Sequence, residues 1–315
     1  MKTRLELFER VRLYSSMAVA LAIVASLVAS ELIDSKDLTW QVVIAVLALA
    51  VGIPHGALDH FVTVPRTNKK TMAVFICIYV LVAVAAAMAI LKWNVLGFQI
   101  VVLMSLVHFG VGDSAFLNEL DRLKEKTSSH LPTAFVVLAF GSIPVVLPLI
   151  NSSSTSALSE VNINLVNWHQ GFDESLRVVV LGLFIVALVA LVIAKRYRDV
   201  IDLFLLAALA VLTPPLIAFA VYFGCWHAMR HTARLTLVLS KSHSDYVQSH
   251  ALKAFWSAVV PGTPALIGSF VVAASLWIYG EVDKSFFWFV LTIVWALTVP
   301  HMIVTAKLDR KALRI

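Results

Sequence analysis

The chain contains little charge and almost no cysteine. Only 14% of its 315 residues are charged while 60% are hydrophobic, and the mean hydropathy is +0.89. Because soluble domains carry about 25% charged residues, this composition excludes an ordinary soluble protein and indicates a polytopic membrane protein. The two cysteines, Cys77 and Cys225, both lie in apolar runs, so neither a disulfide framework nor a thiolate zinc site is expected.

The sequence also lacks the short alternating strands of an outer-membrane barrel. Its apolar runs mostly reach roughly 17 to 25 residues, the length that crosses the hydrocarbon core of a bilayer as a helix. We therefore predict an all-α fold, a polytopic helical bundle that forms one transmembrane domain over residues 1–315. The net charge of +6 does not indicate a nucleic-acid partner, because the basic residues lie in short loops between the spans.

The apolar runs predict about ten membrane-spanning helices. The seventh and eighth are divided only by Thr213-Pro214-Pro215, and about nine spans result if this segment is a kink within one helix. The small residues Val28-Ala29-Ser30 leave open a second alternative, in which the first span is a signal peptide. The predicted spans are roughly 11–30, 40–61, 72–92, 95–117, 132–150, 177–194, 198–213, 215–239, 263–280 and 286–307.

Charge alternates from loop to loop along the chain. Both termini and every second loop are basic, whereas residues 151–174 contain no Lys or Arg. The positive-inside rule then puts both termini in the cytoplasm and residues 151–174 outside, in a multi-pass protein of the cell membrane. The Ser-rich stretch 151–156 and the basic stretch between span eight and Lys253 are predicted to be loops.

Histidine recurs inside four of the apolar stretches, beside Pro, Gly, Asp or Trp: Pro54 to His60, His108 to Gly110, Cys225 to His231, and Pro300 to Met302. An imidazole is costly to bury in hydrocarbon without a partner, so a set of intramembrane histidines favours a functional site. In the predicted topology five of them lie roughly 18–24 Å below the outer face. We therefore predict that these five share one layer: His55, His108, His227, His231 and His301.

The strongest local signal is the pair His227 and His231. A spacing of four residues puts both rings on one helix face, where they can bind the same ion. Taken alone, the pair also fits two hydrogen-bonded packing residues, but the other histidines at equal depth favour a metal. His55 and His108 complete the predicted set of ligands.

Two carboxylates are predicted to support this set. Asp59, four residues after His55, is expected to accept the remaining N–H of that ring and so to fix its tautomer. Asp113 is expected either to support a ligand in the same way or to pair with Arg230 or Arg234. Both arginines are predicted to extend to the cytoplasmic interface.

Two further histidines and three aromatic residues adjoin the predicted ligands. His60 lies about 140° around the helix from His55, so both face one ion only if Gly56 permits a distortion. His301 follows Pro300, whose missing N–H exposes backbone groups that the ring can bond instead of a metal. The aromatic residues, which either pack in the core or line an apolar channel, are Tyr222, Phe223 and Trp226.

A ligand set of imidazoles alone suits Fe, Cu, Zn or Ni. The glutamate of a zinc-protease motif is missing between His227 and His231, which disfavours metal-assisted peptide hydrolysis. The four histidine stretches, together with Asp113, resemble the Brp/Blh family of integral-membrane β-carotene 15,15′-dioxygenases of archaea and bacteria. The resemblance covers about residues 40–307 in motif order.

The resemblance implies a non-haem Fe(II) centre and cleavage of the central double bond of β-carotene by dioxygen, which gives two molecules of retinal. It implies a site within the lipid bilayer, and a retinal-accepting rhodopsin is a further candidate partner. Carried over motif by motif, it assigns iron to four histidines, with His60 and His301 as second-rank candidates. The four are His55, His108, His227 and His231.

Three other functions compete with this interpretation. Membrane desaturases and hydroxylases resemble di-iron proteins with repeated His-x-x-His-His clusters, and this sequence has no adjacent pair of histidines. A cytochrome with histidine-ligated haem is distinguished by its intense Soret absorption. A transporter with a proton or metal pathway predicts broken helices in two symmetric halves, which the sequence does not reveal.

Overall fold

The computed structural model of the protein describes residues 2–32, 38–59, 69–125, 131–279 and 286–313. Within these ranges the chain is helical and forms no strand, which confirms the predicted all-α class. His60, one of the second-rank candidates, lies outside the described residues.

The helices follow one another with short connections. In the described ranges they are α1 (Lys2–Leu32), α2 (Thr39–Gly56), α3 (Lys69–Lys92), α4 (Asn94–Leu123), α5 (Thr133–Leu149), α6 (Ser154–Asn162), α7 (Asp173–Ile193), α8 (Tyr197–Leu212), α9 (Pro215–Val221), α10 (Met229–Leu235), α11 (Ser240–Val247), α12 (Ala251–Val259), α13 (Thr263–Tyr279) and α14 (Phe286–Leu313). A π-helical segment, Tyr222–Ala228, joins α9 to α10 without a break.

Each predicted span overlaps helical residues, although α2 ends at Gly56 and not near residue 61, and the eighth span comprises α9, the π-helical segment and α10. The separation of α8 from α9 confirms the break at Thr213 and Pro214. Pro215 occupies the first position of α9, where a missing N–H costs no helical hydrogen bond. The described residues include six stretches long and apolar enough to cross a bilayer, so the chain is a multi-pass membrane protein. They are Lys2–Leu32, Lys69–Lys92, Asn94–Leu123, Asp173–Ile193, Ala251–Val272 and Trp288–Leu313. The number ten stays a prediction.

Two stretches that were predicted to be loops are helical. Residues 151–156 run into α6, which buries Ala157, Leu158 and Val161. The stretch that ends near Lys253 contains α11 and the start of α12. The loop prediction was wrong because polar and basic composition indicates exposure, whereas the apolar residues of these short helices recur at helical spacing and pack against the bundle.

The first helix is tied to the bundle by buried charges. Arg12 of α1 contacts Asp199 and, at 3.0 Å, Asp202, both on α8. Asp202 also accepts a hydrogen bond of 3.1 Å from Arg230, which is 1% exposed. Because a charge buried among apolar helices needs an opposite charge, these pairs fix α1 against α8 and α10. This packing makes α1 a structural part of the bundle.

The prediction that Arg230 and Arg234 extend to the cytoplasmic interface was wrong. Both side chains are 1% exposed, and Arg234 donates to Glu119 on α4 at 2.9 Å and to Asp309 on α14 at 2.7 Å. Carboxylates supplied by neighbouring helices make burial of the guanidinium groups tolerable. A single sequence does not reveal such pairings, because the partners are far apart along the chain.

The backbones of α4 and α5 approach each other closely at Gly110 and Gly141. A Cβ atom added to Gly110 would overlap the carbonyl of Val137, and one added to Gly141 would overlap the carbonyl of Leu106. Small residues allow this approach between membrane helices. The contact fixes α4 at the level of His108, next to the candidate site.

Candidate metal centre

Five histidine rings from four parts of the bundle meet at one place. His55 comes from α2, His108 from α4, His227 and His231 from the π-helical segment and α10, and His301 from α14. Eight pairs of these rings have centroids 5.0 to 6.4 Å apart, and each side chain is at most 6% exposed. The structure therefore brings the five predicted histidines together, and we refer to these five residues as the histidine cluster.

Several nitrogen atoms of the cluster are buried without a partner among the described residues. Within the described part of the chain, buried ring nitrogens of four of the histidines have no hydrogen-bond partner: Nε2 of His108, His227 and His301, and both nitrogens of His231. Leaving a buried polar atom unpaired costs about 1–3 kcal/mol, so several at one place require a cause. A shared cation would satisfy one nitrogen of each ring and leave one nitrogen of His231 unpaired.

The ring separations support the same conclusion. Imidazoles that bind one ion at about 2.1 Å have ring centroids about 4.5 to 6.5 Å apart, depending on the angle between the ligands. The measured 5.0 to 6.4 Å lies in that range. Among the described residues, no group of three or more His, Cys, Asp or Glu side chains already satisfies the arrangement of a metal site, so ligation is a proposal.

The π-helical segment sets the direction of His227. Such segments add a residue to a helical turn and occur frequently at functional sites. Here Gly224 lies against α2, where an added Cβ would be 2.7 Å from the carbonyl oxygen of Ala48. The close approach brings Phe223 and His227 toward His55, whose ring centroid is 5.6 Å from that of His227. The apolar pattern of the sequence does not distinguish a π-helical turn from an α-helical one.

Asp59 supports a different histidine from the one predicted. Its carboxylate accepts hydrogen bonds from His301 Nδ1 at 2.9 and 3.0 Å and from the Tyr79 hydroxyl at 3.0 Å. Helix α2 ends at Gly56, shortly after Pro54, so Asp59 no longer lies on the helical face of His55. His301 donates its Nδ1–H to Asp59 in a hydrogen bond, which leaves the lone pair on Nε2. Metal-ligating histidines are oriented in the same way.

His55 is oriented by the backbone instead. Its Nδ1 donates to the carbonyl of Gly52, one turn earlier and near the end of α2. A carbonyl only accepts, so Nδ1 carries the proton and Nε2 of the neutral ring keeps its lone pair. His55 and His301 are therefore both held in the tautomer that suits metal binding through Nε2.

Asp113 makes neither of the contacts predicted for it. One of its oxygens accepts hydrogen bonds from the Tyr222 hydroxyl at 3.1 Å and from the Trp226 indole at 3.0 Å. Arg230 stacks on the ring of Trp226 at 3.4 Å instead of pairing with Asp113. Asp113 therefore holds the two aromatic residues beside the histidine cluster.

A cavity of about 230 Å³, here called the first cavity, adjoins the histidine cluster. His55, His108, His301 and Phe223 line it. The Tyr222 and Trp226 side chains, predicted to do the same, point to Asp113. Ile76 and Val80 of α3 also line the cavity and are 47% and 51% exposed, so it reaches the outer, apolar surface of the bundle. This opening gives a membrane-dissolved molecule a lateral path to the site.

Sequence reasoning missed two residues of the site. Tyr79 supports Asp59, and nothing in the sequence links the two because they lie on different helices. Phe109 packs on His227 with ring centroids 4.5 Å apart and lines the first cavity. Its position directly after His108 is the one signal that pointed to it.

The chain was compared with known proteins. A family model described as "Beta-carotene 15,15'-dioxygenase" matches residues 46–309. A relative named "Probable beta-carotene 15,15'-dioxygenase Blh", from Halobacterium salinarum, is 27% identical and covers 84% of this chain and 82% of its own. Another, "Beta-carotene 15,15'-dioxygenase" from an uncultured marine bacterium, is 26% identical over 82% of this chain and 90% of its own. No solved structure gives a significant match.

Proposed function

The chain belongs to the β-carotene 15,15′-dioxygenase family, and from this premise we propose that it cleaves the central double bond of β-carotene with dioxygen. The products are two molecules of retinal. We assign the iron of this reaction to His55, His108, His227 and His231, with His301 as a further candidate ligand. The family match supports carotenoid cleavage, and the histidine cluster supports the choice of these residues.

The observation that carries the metal assignment is the set of unpartnered buried ring nitrogens. Neutral imidazoles without Cys or Glu among them suit iron, and iron(II) supplies binding and activation of dioxygen when it is bound. Asp59 and the carbonyl of Gly52 hold two of the rings in the tautomer that leaves Nε2 available. The fold thereby orients Nε2 of His55 and of His301 for metal binding.

The remaining residues bind the polyene and exclude water. β-Carotene is a long hydrocarbon that dissolves only in the bilayer, and the first cavity opens toward the apolar surface beside α3. Phe109 and Phe223 present ring faces and edges next to the histidines. Holding one double bond of the polyene at the cluster selects the bond that reacts, which is an orientation effect.

The stoichiometry requires no further reductant. One carbon–carbon double bond breaks and two carbonyl groups form, and both oxygen atoms come from one dioxygen molecule. The sequence offers no flavin or reductase motif, in agreement with a reaction that takes up no external electrons. Lipid and dioxygen are therefore the only other partners the reaction needs, and a retinal-binding rhodopsin is a candidate recipient of the product.

Labelled dioxygen tests this function. Purified protein in detergent is loaded with iron(II), incubated briefly with β-carotene under labelled dioxygen, and its products are separated by chromatography. We expect retinal that carries the label in both halves after correction for exchange of aldehyde oxygen with water. Retinal with substantial oxygen from water, or no retinal from iron-loaded protein, contradicts the proposal.

The basic loops support a location in the cell membrane with both termini in the cytoplasm. Impermeant thiol labelling of intact cells tests this topology, in a background where Cys77 and Cys225 are replaced. Ser153 and Ser244 are both exposed, and the topology puts them on opposite sides of the membrane. Ser153→Cys is expected to react and Ser244→Cys to react only after lysis; the reverse pattern contradicts the topology.

A further inference from the structure

Phe109 lines two separate apolar cavities. One is the first cavity, which adjoins the histidine cluster. The other, here called the second cavity, has a volume of about 80 Å³, and none of the five histidines lines it. Its lining, which comes from α4, α5, α6, α9 and α14, includes Phe98, Val102, Ala157, Val161, Phe219 and Trp295.

Two helical stretches, α4 and the continuous run of α9 with the π-helical segment, line both cavities about one turn apart. On α4, Ser105 lines the second cavity and His108 the first, with Phe109 common to both. On α9 and the π-helical segment, Phe219 lines the second cavity and Phe223 the first. The rings of Phe219 and Phe223 are stacked 5.9 Å apart, so aromatic side chains separate the two spaces.

The side chain of Phe109 can rotate, whereas its backbone is fixed. The next residue, Gly110, is packed against α5, which holds the α4 backbone in place. The Phe109 ring lies against His227, with centroids 4.5 Å apart, and its centroid is 6.3 Å from that of Phe223. A molecule that passes from one cavity to the other therefore passes beside the histidine cluster.

We propose that the second cavity binds one arm of the carotenoid while the first cavity binds the other, with Phe109 between them. This inference rests on the proposed function, because a bond at the centre of a symmetric polyene leaves two equal arms. Along α4 the residues that line the second cavity run from Phe98 to Phe109, eleven residues or roughly 16 Å of helix, which is about the length of one arm. At about 80 Å³ the second cavity is smaller than the arm, so the arm enters as the Phe109 ring turns aside and the other lining side chains move apart.

The arrangement also explains the choice of bond. An arm that reaches the far wall of the second cavity, formed by α6, stops the substrate with its central double bond beside the histidines. Ala157 and Val161 of α6 form part of that wall and are buried. Asn162 at the end of α6 donates to Asn94 at the start of α4 at 3.1 Å, so this part of α6 lies toward the end of the cavity away from Phe109. Ala157 and Val161 are not part of the histidine cluster, so they determine how deep the arm enters.

Filling the far end of the second cavity tests the inference. Ala157→Phe, with Val161→Phe as a second variant, is compared with Ser156→Phe, which adds the same ring at an exposed position of α6. Each is assayed with β-carotene and with an apocarotenal whose second arm is shortened but whose central double bond is intact. Iron content and accumulation in the membrane are measured in parallel to recognise a misfolded variant.

We expect a loss of at least about 10-fold in cleavage of β-carotene by Ala157→Phe, because the long arm no longer fits and the double bond is displaced. Cleavage of the shortened substrate should stay near the wild-type rate, and Ser156→Phe should cleave both normally. Undiminished cleavage of β-carotene by both filled variants, or an equal loss on both substrates in variants with normal iron content, overturns the inference while the proposed function stands. If the wild-type protein cleaves neither substrate, the proposed function fails and this inference with it.

Discussion

Two buried polar regions lie side by side in this bundle and differ in how their groups are satisfied. In the ionic region, each of the arginines Arg12, Arg230 and Arg234 contacts at least one carboxylate from another helix. In the histidine cluster, ring nitrogens of four residues find no partner within the described part of the chain. Every arginine of the first region has a carboxylate partner, although Arg230 Nη1 and Arg234 Nη2 make no hydrogen bond, whereas the histidine cluster contains five buried ring nitrogens without a partner among the described residues.

The difference separates structure from function. Paired charges between helices fix α1, α4, α8, α10 and α14 against one another. Unpaired buried imidazoles do not stabilise the fold, and their burial is unfavourable unless a bound ligand compensates for it. The two regions should therefore respond differently to substitution, the ionic one in stability and the histidine cluster in activity.

The largest effect is expected for His227→Ala and His231→Ala. Each should reduce retinal formation to background, at least about 100-fold, and lower the bound iron, while the unfolding midpoint changes little. His243→Ala is the matched control, because His243 is exposed and lies outside the cluster. Near-normal turnover and iron in either cluster variant would refute the assignment, whichever way stability moved.

Asp202→Asn should produce the opposite pattern. It removes the carboxylate that Arg12 and Arg230 share, and an uncompensated buried charge costs about 3–5 kcal/mol. Accumulation in the membrane and the thermal unfolding midpoint in detergent should both fall. A variant that keeps the wild-type midpoint but loses iron would mean that the ionic region serves the site and not the fold.

A smaller loss is expected for Asp59→Asn, about 10–100-fold in activity or iron affinity, because the amide holds His301 less firmly than the carboxylate. Tyr79→Phe removes one hydrogen bond to the same group and should cost only a few-fold. Iron titration of both variants measures the affinity for iron, which a change in packing alone would leave unaltered. Equal iron affinity in wild type and Asp59→Asn would reduce Asp59 to a packing residue.

The smallest effect is expected at an exposed pair. Glu6 and Arg10 of α1 are joined at 2.6 Å, yet their side chains are 49% and 53% exposed. Glu6→Gln should therefore change stability by less than about 0.5 kcal/mol, in contrast to Asp202→Asn on α8, where the carboxylate is buried. A midpoint as low as that of Asp202→Asn would show that burial is not what distinguishes these pairs.

The length of the apolar runs and the predicted depth of residues in the membrane gave more correct predictions than the spacing of neighbouring residues did. The apolar runs predicted the helices, and the equal depth of five histidines predicted that they lie together. Both predictions rest on the geometry of a helix in a bilayer. Contacts between distant helices were not accessible in that way. The predicted pairing of Asp59 with His55 was wrong because the helix ends at Gly56, and buried partners of Arg230 and Arg234 lie on other helices.

The most direct test of the account is the metal content of the purified protein. Wild type and a variant in which His108, His227 and His231 are all replaced by Ala are loaded with iron(II), desalted and analysed for bound metal and absorption. The account predicts one iron per chain in the wild type, no Soret band, and no retained iron in the triple variant. Equal iron in both proteins, or none in the wild type, would contradict it.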